Sequence, residues 1–143
     1  MATTPNSIVA LQTPKLFPQQ YSTADSTGVN KTIATGSPNG TKIAGLWANN
    51  SDAGGSHAVT VQLQRSGINY GGVLTTIPTS AGFANGVPPV NLMAPAIWPG
   101  LPVDSDGNPF IFLQSTLDLL VAIYSTGLTA GAVLNVTGVG GDF

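Results

Sequence analysis

The chain has one histidine, His57, and Asp52 stands five residues before it. An acid behind a histidine is two-thirds of a nucleophile-activating triad: the carboxylate orients the ring, and the ring takes a hydroxyl proton. No Gly-x-Ser-x-Gly elbow is present to present that hydroxyl on a strained turn. The pair therefore reads as a polar entry to a strand. The six acids are all aspartates: Asp25, Asp52, Asp104, Asp106, Asp118 and Asp142. Glycoside hydrolysis needs two carboxyls facing across a cleft, and these are spread over turns. Asp104-Ser105-Asp106-Gly107-Asn108 resembles half of a calcium loop, with oxygen ligands around a glycine. The bidentate Glu that completes such a loop is missing, because the chain contains no Glu. Asp and Gly between prolines make an ordinary turn. Cysteine is absent too, which removes thiolate metal sites, disulfides and cysteine nucleophiles. No catalytic, cofactor-binding or metal-ligating residue is expected, and the chain is not expected to be an enzyme.

Trp47 and Trp98 are the two residues that could stack on a sugar. Trp47 falls mid-strand and is assigned to the core. Trp98 falls in a proline-rich stretch and is the better contact residue for an interface.

Positioning any such residue is the task of the elements, and composition points to strands. The chain has 143 residues, enough for one domain with a full core. Only 7% of residues are charged, against about 25% in an ordinary soluble domain. Four basic residues cannot neutralise a run of phosphates or anchor a membrane by charge, so neither nucleic acid nor membrane is an expected partner. Solubility rests on 16 Thr, 11 Ser, 10 Asn and 6 Gln. Threonine-rich, glutamate-free and punctuated by 18 Gly and 11 Pro is the composition of an all-β domain. The N-terminus lacks a basic stretch followed by a long apolar run, so no secretory signal is expected.

Eight strands emerge, near residues 7–12, 31–35, 41–48, 57–65, 68–77, 110–114, 117–124 and 132–136. Residues 19–30 read as a polar arm or loop. The turn Gly36-Ser37-Pro38-Asn39-Gly40 predicts a hairpin between the second and third strands. Val59, Val61 and Leu63 alternate with Thr60, Gln62 and Gln64, the clearest period of two. Ser66-Gly67 turns this strand into the next, where Gly71-Gly72 marks a bulge. Residues 117–124 are apolar on both faces, which places that strand centrally or under a partner. The expected architecture is a single-domain antiparallel β-sandwich, a jelly roll, with an immunoglobulin-like sandwich as the alternative. Residues 1–30 are taken as an arm and first strand, and residues 31–143 as the body.

Residues 78–109 fit no strand. They hold seven prolines, yet carry Val87, Val90, Leu92, Met93, Ile97, Trp98, Leu101 and Val103. So long a segment without regular structure is usually functional. It reads either as a cover over one end of the sandwich or as an interface. Val87, Leu92, Trp98 and Leu101, with Leu120 and Tyr124 of the two-sided strand, are the candidate self-association residues.

Three stretches carry a family resemblance: Gly45-Leu46-Trp47-Ala48-Asn49-Asn50, Ile77-Pro78-Thr79-Ser80-Ala81-Gly82, and Leu92-Met93 through Trp98-Pro99-Gly100-Leu101-Pro102-Val103-Asp104-Ser105-Asp106-Gly107-Asn108-Pro109. With the closing strand, they resemble the jelly-roll capsid cement (decoration) proteins of tailed bacteriophages, over roughly residues 41–143. The resemblance implies a non-enzymatic virion protein without cofactors, made in the host cytoplasm. It further implies a homotrimer on the outer surface of the head that bridges major capsid subunits. Ile8, Val9, Leu11, Leu16 and Phe17 of the arm are the expected shell contacts. The alternative is a tail or fibre module that recognises host glycans.

Overall fold

The computed structural model describes residues 13–125 and 127–143. Among these residues nine strands form two antiparallel sheets: β1 (Thr13–Ser22), β2 (Asn30–Thr35), β3 (Thr41–Asn50), β4 (His57–Arg65), β5 (Ile68–Ile77), β6 (Val90–Asn91), β7 (Ile111–Leu113), β8 (Asp118–Tyr124) and β9 (Val133–Asp142). Sheet A has the order β1-β9-β3-β6, with β7 also on β3; sheet B has the order β2-β8-β4-β5. The chain crosses between sheets so that first and last strands pair and β8 lies between β2 and β4. That is the order of a jelly roll, which decides against the immunoglobulin-like alternative.

Alternation builds the core. Ile43, Leu46 and Ala48 of sheet A meet Val59, Val61, Leu120, Ala122 and Tyr124 of sheet B, all buried. Burying each large aliphatic side chain contributes about 1.5–3 kcal/mol.

Several expectations need correction. No hairpin joins β2 to β3: β2 pairs with β8 and β3 with β9. The Gly36–Gly40 turn carries the chain from one sheet to the other. A Cβ on Gly36 would stand 2.1 Å from the Ser115 carbonyl oxygen, so the crossing needs glycine there. Residues 19–22 are no loop, and residues 13–30 are no separate arm. β1 pairs with β9 throughout, from Thr13 opposite Asp142 to Ser22 opposite Val133. The closing strand does not stop at Val136 but runs on through its glycines to Asp142. A Cβ on Gly140 would lie 1.9 Å from the Lys42 carbonyl oxygen, so only a bare backbone lets β9 lie this close to β3. The expected strand at residues 7–12 lies outside the described residues.

β6 and β7 are two pieces of one interrupted edge strand. Asn91 sits opposite Trp47, and Ile111 opposite Ile43. Between them the chain makes an excursion, residues 92–110, that folds back into the same domain. The Leu92 N–H donates to Leu46 O at 2.9 Å, Trp98 N–H closes a turn on Ala94 O at 2.8 Å, and Phe110 N–H returns to Pro102 O at 3.0 Å. Leu92, Met93 and Trp98 are buried in the core. The proline-rich segment is thus a fitted part of sheet A's edge.

Candidate interaction surface

The β4–β5 hairpin closes with a two-residue turn in which Ser66 and Gly67 have φ of 50° and 79°. Two positive φ values match the right-handed twist of the flanking strands. Beyond the turn the register slips: Leu63 faces Gly71 and Gln64 faces Asn69, so Tyr70 has no partner on β4. This bulge turns the Tyr70 ring outward, at 68% exposure.

Tyr70 stands at one end of the sandwich among other exposed apolar side chains. Ile68 follows the turn, Leu117 lies beside it through the Ser66 N–H to Leu117 O bond, and Phe112 comes from β7. Ile68, Phe112 and Leu117 are 60%, 43% and 58% exposed. Phe112 is propped edge-on by Phe143, ring centroids 5.7 Å apart. A cleft of about 270 Å³ opens among Leu63, Gln64, Tyr70, Phe112 and Gln114.

One ion pair forms the floor. Arg65 grips Asp118 with two N–H groups, Nε to Oδ1 at 2.5 Å and Nη2 to Oδ2 at 2.7 Å. Arg65 Nη2 also donates to Gln114 Oε1 at 3.1 Å, and the Gln114 N–H donates to Asp118 Oδ2 at 2.7 Å. The Arg65 fork is the main reason the Asp118 carboxyl is held below the usual carboxylate range. The charges cancel locally, so this end is apolar and neutral overall.

The sequence-derived interface residues are distributed otherwise. Leu92, Trp98, Leu120 and Tyr124 are buried in the chain's own core and present nothing to a partner. Val87 and Leu101 are half-buried and pack on that core. For Leu120 and Tyr124 the error is one of face: β8 turns Leu120, Ala122 and Tyr124 into the core, and on its other face Val121 is buried and Leu119 and Ile123 are half-buried. A shift of one residue exchanges the two sets. Of the expected shell contacts, Leu16 is 62% exposed on β1, Phe17 packs on the core, and Ile8, Val9 and Leu11 lie outside the described residues. Ile68, Tyr70, Phe112 and Leu117 escaped notice. Their signal was large apolar residues flanking a tight turn, where a soluble domain normally places polar ones.

The catalytic candidates have structural employment. His57 Nε2 lies 2.8 Å from Asp52 Oδ2, and both residues are buried. Asp52 also accepts the Thr129 N–H at 2.9 Å and the Gly54 N–H at 2.8 Å. These bonds, the Thr129 N–H first, keep its carboxyl well below the usual range. The pair ties two loops together at the end of the sandwich and offers no open face to a substrate. Asp104 Oδ1 accepts the N–H groups of Asp106 and Asn108, at 3.0 and 2.9 Å, closing its own turn. Among the described residues no three His, Cys, Asp or Glu side chains gather as a metal site. Among the described residues no helix is long and apolar enough to cross a membrane.

The fold and this surface define the class: a jelly-roll β-sandwich with one apolar, charge-compensated end. No protein-family model and no curated protein matches the chain. Among solved structures it is similar to part of IMPa from Pseudomonas aeruginosa, determined in complex with an O-glycopeptide. The likeness has a TM-score of 0.32 at 12% identity, over 96% of this chain and 14% of that one.

Proposed function

We propose that this protein is a non-enzymatic capsid cement protein of a tailed phage, which binds the outside of the head and bridges major capsid subunits. The observation that carries this reading is the sandwich end, where Ile68, Tyr70, Phe112 and Leu117 stand exposed around the Arg65–Asp118 pair. Clustered apolar area beyond what the core needs marks a surface that a neighbour covers. Aromatic residues with an arginine at the centre are the usual anchors of such contacts. A jelly-roll body whose catalytic candidates are committed to loops suits a part that holds others together. Repetition over a shell turns modest single contacts into firm attachment.

The test is co-sedimentation with heads stripped of their surface proteins. The protein is expected to bind saturably, with little change between low and high salt, because the docking end has no net charge to screen. Tyr70→Ser combined with Leu117→Ser is expected to weaken binding at least tenfold. Failure to bind any such head, or binding indifferent to this double substitution, counts against the reading. The alternative, a glycan-binding module, had Trp98 as its stacking platform; with that ring at 8% exposure, it has no support from that residue.

A further inference from the structure

The interrupted edge strand leaves a polar cleft on sheet A. β6 departs from β3 at Asn91, opposite Trp47, and β7 rejoins it at Ile111, opposite Ile43. Between these two pairs β3 also slips its register on β9, between Ile43 and Gly45. Among the described residues a cleft of about 260 Å³ opens in this gap, with Gly45 and the buried Met93 in its lining. Four polar residues join them: Lys42, Asn91, Asp104 and Asn108.

The polar wall carries donors and acceptors in balance. Asp104 Oδ1 accepts the N–H groups of Asp106 and Asn108. These bonds, that of Asn108 first, hold the carboxyl below the usual range and so keep it an acceptor. Its Oδ2 lies 3.7 Å from Lys42 Nζ, with both side chains largely buried. That separation is too long for a hydrogen bond, so donor and acceptor both keep capacity for a third partner. Lys42 is steadied over the Phe110 ring, 5.1 Å from its centroid. Asn91 Oδ1 accepts the Met93 N–H at 3.0 Å, which leaves the amide NH2 group to donate. Asn108 is exposed and brings a whole amide.

The apolar wall is Trp47. Its place mid-strand assigns it to the core, but Leu46 and Ala48 take the inward positions, and Trp47 is half-buried on the outer face of sheet A. A Cβ on Gly45 would stand 3.9 Å from Trp47 Cζ3. With glycine there, the indole borders the cleft with no side chain between.

We propose that this cleft binds one neutral pyranose unit of a glycan. A sugar ring has an apolar C–H face, which packs on an indole, and a rim of hydroxyls that each donate and accept. Adjacent hydroxyls bridge the separated ion pair, one accepting from Lys42 Nζ and the next donating to Asp104 Oδ2. The amides of Asn91 and Asn108 take the hydroxyls beside them. Lys42 and Asp104 compensate each other, so the cleft favours a neutral ring over an acidic one. Its volume lies just below the roughly 300–1,000 Å³ of ordinary ligand sites, room for one ring rather than a chain. The site goes beyond head attachment, for it shares no lining residue with the cleft at the apolar end. Lys42 does stand opposite Phe112 of that end, so Trp47 and Asn108 are the positions that tell the two apart.

Nuclear magnetic resonance titration of the full chain tests this. The probes are the methyl glycosides of glucose, galactose and N-acetylglucosamine, with methyl glucuronide as the acidic control. At least one neutral glycoside is expected to shift the Trp47 indole N–H and the Asn108 side-chain amide saturably, leaving the indole of the buried Trp98 unmoved. Trp47→Leu is expected to weaken that binding at least tenfold, with the fold checked by circular dichroism. Asn108→Ala, in an exposed turn, is expected to weaken it several-fold and decides the matter should Trp47→Leu fail to fold. Tyr70→Ser with Leu117→Ser is expected to leave glycoside binding unchanged, and Asn108→Ala to leave head co-sedimentation unchanged. No shift with any neutral glycoside, shifts confined to the glucuronide, or binding indifferent to Asn108→Ala overturns the site. Lost head binding with intact glycoside binding overturns the cement reading alone.

Discussion

The two long sides of the sandwich are finished in opposite ways. Where β1 and β2 run side by side, side chains lace one sheet to the other. Gln19 Nε2 donates to Thr32 O at 2.7 Å, and Lys31 Nζ donates to Gln20 O at 2.6 Å. Lys31 also pairs with Asp25 and lies over the Tyr21 ring, 5.0 Å from its centroid. Tyr21 is buried, stacks tilted on Tyr124, and donates its hydroxyl to the Ala122 carbonyl of the opposite sheet. On the far side β5 has no proline and no charge, and among the described residues no side chain laces it to the other sheet. The first side spends its polar side chains on internal bonds. Among the described residues the second leaves an edge backbone and apolar side chains such as Leu74 exposed. One fold thus separates a side laced by its own side chains from a side left open.

The sharpest way to break that contrast is to damage the laced side. Tyr21→Ala removes a buried ring and its hydrogen bond and is expected to cost about 3–5 kcal/mol in denaturant unfolding. Tyr21→Phe keeps the ring and should cost about 0.5–1.5 kcal/mol. Asp118→Ala comes next. It leaves the Gln114 N–H and the Arg65 fork without their acceptor beneath the apolar end, for an expected loss of about 1–3 kcal/mol.

pH acts with opposite sign on the buried phenol and on the paired carboxylates. Burial pushes the Tyr21 phenol up to about 12. Its folded value is raised, so its contribution is present below the unfolded value near 10 and is lost as pH rises from about 10 to 12. Tyr21→Phe should abolish that alkaline fall. The aspartates behave oppositely. Asp25 is held low chiefly by the Ser22 N–H, Asp118 by Arg65, and Asp142 by Lys15. Their folded values are lowered, so their contribution is full above the unfolded value near 3.9 and lost as pH falls below it. The melting temperature should be level between about pH 5 and pH 9 and decline below about pH 4. The smallest effect belongs to the open end: Tyr70→Ser and Leu117→Ser should each change unfolding free energy by no more than about 0.5 kcal/mol. A large destabilisation there would show that these side chains serve the fold, erasing the contrast.

Much of this was legible in the chain. Val59, Val61 and Leu63 announced β4 by alternation, and Ser66-Gly67 announced the hairpin. The absence of glutamate and the abundance of threonine pointed to an all-β sandwich. What misled was local plausibility. Gly36–Gly40 is good hairpin chemistry, but a turn says only that the chain reverses, not which strand it then joins. Pro14 and Pro18 sit inside β1, because at a sheet edge a proline costs no ladder bond on its outward side. Trp98 in a proline-rich run looked free because nothing in sequence reports that β6 and β7 are one strand with an excursion between them.

By itself, then, the sequence determined the class of fold, the period of its strands, the poverty of charge and the surplus of apolar residues. These are local or summed properties, set by residue types and their spacing. The tertiary structure alone decided where the surplus goes. β8 is apolar on both faces, and only its neighbours β2 and β4 show that Leu120 and Tyr124 point inward. β5 resembles any other strand until the strand order leaves it at an edge. Exposure depends on what lies across a gap from a residue, and that is settled by contacts between positions far apart in the chain.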